Sequence, residues 1–223
     1  MQLTSTFPGS AVMCMMLLVS SLLLWEHAAS KPTGVVSTED LYDRVVEQSH
    51  TTYNLAADIY HEFDSNFFKI TWFPKRMPRL CHTASIHTPE SRQEVNETKT
   101  EDLLKAIINI TNAWEEPLKH LVSAVTSLPK PSDNMLKTAN TLKHKNLVLL
   151  EGLKTILNRT KIVYEENDSP VWSGLSEIQS ADEDTQLFAF YNLVRCLRRD
   201  THKIDTFLKV LRGRVIYNNE CLF

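Results

Sequence analysis

The sequence has 223 residues, of which 24 are Lys or Arg and 27 are Asp or Glu, giving a formal net charge of −3 at pH 7. This near-neutral balance argues against a nucleic acid as the partner, because proteins that bind nucleic acids carry an excess of basic residues. With only five glycines and little alternation of apolar and polar residues, the sequence also disfavours an all-β fold.

An apolar run from Cys14 to Trp25 dominates the amino-terminal part of the chain. The run is too short to span a bilayer comfortably, and the small residues Ala28 and Ser30 follow it, as they do before a signal-peptidase cleavage site. We therefore predict a secretory signal peptide at residues 1–30 and a mature domain at residues 31–223, secreted to the extracellular space. The mature chain has no second apolar run of membrane-spanning length, so we expect no membrane insertion after cleavage.

Apolar residues at steps of three and four predict four helices in the mature chain, at residues 38–68, 101–127, 133–163 and 186–221. Ser37 and Asp40 resemble a capping box at the start of the first helix. Pro117 should kink the second helix, because it lacks a backbone donor and its ring clashes one turn back. Leu136 of the third helix and Val215 of the fourth fall on the predicted inward faces.

The links between these helices differ in length. Residues 69–100 and 164–181 form two long links without a clear period, whereas the link at residues 127–133 is short and contains two prolines. Long loops are uncommon in compact domains. An up-up-down-down bundle requires them, because the links between helices one and two and between helices three and four must cross its length, whereas helices two and three can be joined by a short turn. We therefore predict an all-α fold, a long-chain four-helix bundle with up-up-down-down topology and two long crossover loops.

Three cysteines remain in the mature chain, Cys81, Cys196 and Cys221. Secretion into an oxidising environment favours disulfides, and the odd number leaves one cysteine free or paired between chains. Asn-X-Thr tripeptides predict N-glycosylation at Asn96, Asn109 and Asn158.

Five motifs carry a resemblance to a known family: CHTASIHTPE at 81–90, WEEPLKHLV at 114–122, LLEGL at 149–153, PVWSGL at 170–175 and CLRRDTHKIDTFLKVL at 196–211. In this order they resemble the prolactin/growth hormone family, most closely its rodent-type placental lactogens. The absence of cysteine between Lys31 and Leu80 favours that branch over prolactin itself. The resemblance implies a monomeric, secreted lactogenic hormone. It would bind and dimerise the extracellular domain of the prolactin receptor, a class I cytokine receptor, two copies per hormone, and activate JAK/STAT signalling.

The resemblance also implies a Cys81–Cys196 disulfide. The usual partner of the last cysteine is replaced by Gly213, so Cys221 should be unpaired within this chain, either free or bonded to another chain. A single glycine, Gly152, would form receptor site 2 as a shallow cleft on the third helix, with close helix packing as the alternative interpretation. Residues that would form receptor site 1 on the first and fourth helices are His50, Tyr53, Tyr191, Arg198, His202 and Lys203.

No cofactor is expected, with one exception. His50, His202 and Asp205 could share a zinc ion at the receptor interface, although a closed structural site wants four ligands and the sequence offers three at most. The same two histidines would otherwise make receptor binding weaken on acidification.

We expect no enzymatic activity. The pair His61-Glu62 begins a zinc-protease HExxH motif, but Ser65 stands where the second histidine is needed. The sequence contains no GxSxG, P-loop or CxxC motif. The alternative to a lactogenic hormone is a prolactin-family paralogue that binds a different target, such as a glycosaminoglycan or another cell-surface receptor.

Overall fold

Helices account for all the regular structure in the part of the chain that the computed structural model describes, residues 36–67, 77–160, 162, 164 and 170–217. The predicted signal peptide and Cys221 lie outside these residues. The helices are α1 (Thr38–Phe67), α2 (Arg92–Glu97), α3 (Thr100–Ala113), α4 (Glu115–Thr126), α5 (Asp133–Thr160), α6 (Leu175–Ile178) and α7 (Glu183–Ile216), with a 3₁₀ turn at His82–Ser85. Within the described ranges, no helix is both long and apolar enough to cross a membrane.

The first and last long helices, α1 and α7, run antiparallel along most of their length. The ring of Phe63 near the end of α1 lies 5.0 Å from the ring of Phe190 near the start of α7. At the opposite end, Asp43 near the start of α1 pairs with Arg212 near the end of α7. An apolar seam and a terminal ion pair therefore fix the register of the two helices.

Helix α1 is also antiparallel to α5. Glu62 near the end of α1 accepts a hydrogen bond of 2.7 Å from the side-chain amide of Asn134 at the start of α5. Nearer the start of α1, the side chain of Gln48 donates to the carbonyl of Lys145 at 2.9 Å. Helices α3 and α4 together form the second bundle helix and pack against α5 and α7. The predicted all-α four-helix bundle with up-up-down-down topology is confirmed.

The helix ends show where sequence patterns were sufficient and where they were not. The predicted capping box is present, since Ser37 Oγ accepts from the backbone N–H of Asp40 at 3.0 Å. Helix α7 begins before residue 186, because Asp182 caps it by accepting from the backbone N–H of Thr185 at 3.0 Å. The predicted inward position of Val215 is wrong: its side chain is 36% exposed at the end of α7.

The third helix shows a smaller difference from the predicted inward face. Leu136 is only half-buried, whereas the preceding residue, Met135, is fully buried. The remaining apolar positions predicted to face inward on this helix, Ala139, Leu142, Leu149, Leu153 and Ile156, are buried. The predicted face is therefore correct from Ala139 onward. In the first turn, the inward-facing residue is Met135 and not the predicted Leu136.

The break in the second bundle helix lies at Trp114, three residues before Pro117. Pro117 has no N–H to donate to the carbonyl of Ala113 one turn back, and its ring crowds that carbonyl, so α3 ends there. The ring Nε2–H of His82 donates to the same carbonyl at 3.1 Å. The first crossover loop thus supplies the hydrogen bond that the proline removes.

A buried carboxylate, Asp200, joins three parts of the fold. It is 1% exposed, and its Oδ2 accepts from Thr83 Oγ1 at 2.6 Å and from Trp114 Nε1 at 2.9 Å. The guanidinium of Arg199 lies 2.6 Å from Oδ1 and supplies the opposite charge. Burying a carboxylate is costly unless it is paired and hydrogen-bonded, so these partners are required for the fold.

The expected disulfide joins Cys81 to Cys196, with a Cα–Cα distance of 5.6 Å and a sequence separation of 115 residues. A closed loop of this length lowers the entropy of the unfolded chain, which corresponds to about 4–5 kcal/mol in the chain-entropy model. The disulfide lies next to the Asp200 network, so covalent and polar links hold the first crossover loop at one place on α7.

Replacing Asp200 with Ala should lower the free energy of unfolding by about 3–5 kcal/mol, because the Arg199 charge and two buried donors lose their acceptor. Urea unfolding of the disulfide-bonded protein measures this change. Asp58→Ala, which removes an exposed carboxylate from α1, serves as the control and should change it by less than about 0.5 kcal/mol. If Asp200→Ala does not fold, Trp114→Phe removes one donor together with part of a buried ring and should cost at least about 1 kcal/mol. Equal stability of wild type, Asp200→Ala and Trp114→Phe would contradict this role.

Stability should also fall as the pH drops below the ordinary histidine range, because burial lowers the pKa of His82. In the unfolded protein His82 then binds a proton at a higher pH than it does in the folded protein. The stability that depends on neutral His82 is therefore fully present above about pH 6.5 and declines below it. His82→Gln keeps an N–H donor but does not titrate. We expect the stability difference between wild type and His82→Gln to shift against wild type between pH 7 and pH 5. A difference that stays constant with pH would rule out this contribution.

Candidate functional site

Antiparallel packing of α1 and α7 brings most of the predicted receptor site 1 residues to one side of the bundle. The rings of Tyr53 and His202 meet edge to face with centroids 5.1 Å apart. One turn away, Nδ1 of His50 lies 3.6 Å from Oδ2 of Asp205. We call this surface the α1/α7 face; its members are His50, Tyr53, Tyr60, Tyr191, Arg198 and His202.

Tyr60 is the member of the α1/α7 face that the sequence reasoning missed. The guanidinium carbon of Arg198 lies 5.0 Å from the centre of its ring, and the ring of Tyr191 lies 6.1 Å away. Burial raises the pKa of Tyr60, and Tyr191 raises it further, so the hydroxyl stays neutral at physiological pH. A sequence signal was available, because Tyr60 follows Tyr53 by seven residues, or about two helical turns.

Lys203, also predicted for receptor site 1, has an internal partner. Its Nζ donates to Oγ1 of Thr88 at 2.8 Å, and Thr88 is buried. The lysine therefore ties the first crossover loop to α7, while its half-buried stem still lines the neighbouring groove.

A groove of about 1490 Å³ lies beside the α1/α7 face, between α7 and the segment that contains α2. Tyr53, Arg198 and His202 line one side of it, and Asn96 and Lys99 line the other. Its lining includes eight Lys or Arg residues and two Glu residues. We call it the basic groove, and its cationic members are Arg92, Lys99, Arg195, Arg198, Arg199, Lys203, Lys209 and Arg214.

The outer wall of the basic groove is held in place by Arg214 of α7. Its guanidinium donates to the carbonyls of Thr98 at 2.7 Å, Val95 at 2.6 Å and Asn96 at 3.2 Å. These carbonyls end α2, where a cation is favoured by the partial negative charge of the helix terminus. Because the acceptors are uncharged carbonyls, the bonds fix the wall without neutralising the arginine.

The proposed zinc ligands do not form a metal site. The carboxylate of Asp205 is 4% exposed and already accepts from Ser49 Oγ at 3.2 Å and Lys209 Nζ at 2.7 Å. His202 is turned to the ring of Tyr53 instead. In the described part of the chain, no group of three or more His, Cys, Asp or Glu residues could hold a metal ion. The structure therefore gives no support to a shared zinc ion.

Gly152 faces α1 across a close contact. A Cβ added there would lie 2.7 Å from Cγ2 of Val45, closer than carbon atoms can approach, so close packing of α1 and α5 does require glycine. Gly152 is nevertheless only half-buried. Leu147 and Val148, about one turn earlier on α5, are 40% and 44% exposed. The glycine is thus partly open to solvent, with exposed apolar side chains about one turn away on the same helix.

The predicted glycosylation sites lie in different environments. Asn96 on α2 and Asn158 near the end of α5 are exposed. Asn109 is half-buried in the middle of α3, and its Oδ1 accepts from the hydroxyl of Tyr164 at 2.6 Å. Asn109 is therefore partly covered by its surroundings, whereas the other two positions are open to solvent.

Comparison with known proteins confirms the resemblance to prolactin-family hormones of the placental lactogen type. Prolactin-3D1 of Mus musculus and Prolactin-3D4 of Rattus norvegicus are each 62% identical to this chain, over 99% of it and 100% of their own lengths. Prolactin-3B1 of Mesocricetus auratus is 49% identical, over 99% of this chain and 100% of its own. These proteins are hormones, and this chain is not an enzyme.

A model of the somatotropin hormone family matches residues 17–221, which include every element of the bundle. With this match and with relatives that align along nearly the whole sequence, the chain belongs to the somatotropin hormone family.

Proposed function

We propose that this protein is a secreted lactogenic hormone that binds and dimerises the prolactin receptor and activates JAK/STAT signalling through it. Removal of residues 1–30 would release residues 31–223 as a monomeric hormone in the extracellular space. The observation that carries the proposal is the α1/α7 face, on which aromatic and cationic side chains from two helices meet in a member of a hormone family.

The α1/α7 face has the chemistry of a binding hot spot. Tyrosine and arginine are enriched at the residues that contribute most to protein–protein affinity. Arg198 already lies over the ring of Tyr60, and Tyr53 already meets His202 edge to face, so ordering these side chains on binding loses little conformational entropy. We assign the first receptor copy to this face and name Tyr60 as an additional contact.

A second receptor copy would bind on the other side of α1. The missing side chain of Gly152 would leave a shallow depression between α1 and α5 next to the exposed apolar residues Leu147 and Val148, which suits contact with a protein surface. Helix α1 contributes Val45 to this side and Tyr53 to the other. Two receptors could therefore bind one hormone without competing for the same residues.

The basic groove favours one alternative, a family member that binds a sulfated glycosaminoglycan instead of the prolactin receptor. Eight cationic and two acidic side chains line the groove, and two of the cations are paired with Asp200 and Asp205. The cations still outnumber these carboxylates, a balance that would attract a polyanion. A proliferation assay in cells that depend on the prolactin receptor distinguishes the two functions. Growth stimulated by the purified protein supports the hormone, whereas heparin binding without growth supports the alternative.

The double variant Arg198→Ala, His202→Ala should bind the receptor ectodomain at least about 30-fold more weakly, because hot-spot residues contribute about 2 kcal/mol or more. Surface plasmon resonance in a one-to-one format measures the affinity, and circular dichroism verifies folding. Lys137→Ala with His144→Ala, which removes an exposed basic pair from α5, is the matched control and should bind like wild type. Unchanged affinity of the first variant would refute the assignment of the α1/α7 face.

Gly152→Arg should fill the depression between α1 and α5 and abolish signalling while one receptor copy still binds. The control, Gly152→Ala, adds only the Cβ that meets Val45, and Val45→Ala in the same chain relieves that contact. We expect Gly152→Ala with Val45→Ala to signal and Gly152→Arg with Val45→Ala not to signal. A fully active Gly152→Arg hormone would show that the second receptor binds elsewhere.

A further inference from the structure

We infer that an N-linked glycan on Asn96 covers the basic groove and slows the association of the hormone with its receptor. The inference rests on the proposed function, because it concerns the regulation of the same α1/α7 face. It follows from the position of one glycosylation sequence on the wall of the groove.

Asn96 and the receptor-contact residues line the same groove from opposite sides. Tyr53, Arg198 and His202 lie on the α1/α7 side, and Asn96 lies on α2, which forms the outer wall. The Asn96 side chain is exposed and belongs to the sequence Asn-Glu-Thr, which is a glycosylation acceptor. A glycan attached there would start at the edge of the groove and could extend over it.

The attachment point is fixed relative to α7. Arg214 of α7 holds the carbonyls that end α2, and Val95 next to the acceptor is buried. At the other end of α2, Ser91 caps the helix by accepting from the backbone N–H of Glu94 at 3.2 Å. A glycan on this short helix therefore stays beside the groove, which a glycan on an unattached loop would not do.

The charge of the groove strengthens the effect. Arg199 and Lys209 are paired with Asp200 and Asp205, but Lys203 and Arg214 are bonded only to neutral acceptors. The excess of cationic side chains that remains would attract the acidic sugars that often end N-linked glycans. A glycan with acidic ends should therefore spend more time over the groove than a neutral one.

The other predicted acceptors lack this combination of features. Asn158 is exposed, but it lies near the end of α5 and does not line the groove. Asn109 is half-buried and bonded to Tyr164. Asn158 therefore provides a matched control, because it would carry a similar glycan away from the α1/α7 face.

The glycan should act on the rate of association and leave the rate of dissociation unchanged. Receptor binding requires the uncovered state, so the apparent affinity falls by the fraction of time for which the groove is open. A groove that is open about one tenth of the time would bind about tenfold more weakly. Once the receptor has bound, its contacts are the same with or without the sugar.

The test compares three proteins secreted from mammalian cells: wild type, Asn96→Gln and Asn158→Gln. Mass spectrometry establishes glycan occupancy at each position, and surface plasmon resonance measures rates on the immobilised prolactin receptor ectodomain. We expect Asn96→Gln to associate about tenfold faster than wild type with the same dissociation rate. Asn158→Gln should match wild type. Enzymatic removal of glycans from folded wild type should reproduce Asn96→Gln, and removal of sialic acid alone should reproduce part of the gain.

Hydroxyl-radical footprinting gives a second readout that needs no receptor. Tyr53 and His202 should be labelled less in glycosylated wild type than in Asn96→Gln, whereas labelling of His144 on α5 should not differ. Equal labelling and equal association rates, or an Asn96 that carries no glycan, would overturn the inference. If the footprint differs but neither glycoform binds the receptor, the masking stands and the proposed receptor is wrong.

Discussion

The buried carboxylate of Asp200 is the constraint on which the arrangement of the bundle and its first crossover loop depends. At 1% exposure it must keep its partners, and these come from the loop at Thr83, from the second bundle helix at Trp114 and from α7 itself. The Cys81–Cys196 disulfide lies within a few residues of the same point. The loop leaves this anchor to form α2 and the wall of the basic groove, so a buried structural network sets the shape of an exposed binding surface.

Much of the fold could be predicted from sequence, because helical periodicity and loop length are local properties of the chain. The four long bundle segments, the topology and most of the core follow from them, whereas the short helices α2 and α6 were not predicted. The differences have tertiary causes. Helix α3 ends at Ala113 because Pro117 frees a carbonyl and His82, from a distant loop, satisfies it. Val215 fits the apolar period of α7, but it lies at the end of the helix, where α7 extends past the packed core and leaves it exposed.

The candidate site was less predictable. The spacing of residues in the sequence shows which face of a helix a residue lies on, but not which residues of other helices it contacts. The spacing of Asp205 predicts a surface residue, yet its carboxylate is buried and accepts hydrogen bonds from Ser49 and Lys209. Tyr60 lies two turns from Tyr53, but its stacking with Arg198 depends on how α1 meets α7. Three of the five motifs that carry the family resemblance hold the structural residues Cys81, Trp114, Cys196 and Asp200, so part of that resemblance follows from the demands of the fold.

The sharing of α1 between two surfaces has a mechanical consequence. Val45 is β-branched and therefore stiff, and it meets Gly152 with no space between them, while Tyr53 on the same helix meets His202. An α-helix moves as a nearly rigid rod, so a rotation of α1 that opened one contact would tilt the other. A shift of α1 that suited a partner on one side would therefore disturb the packing on the other side as well.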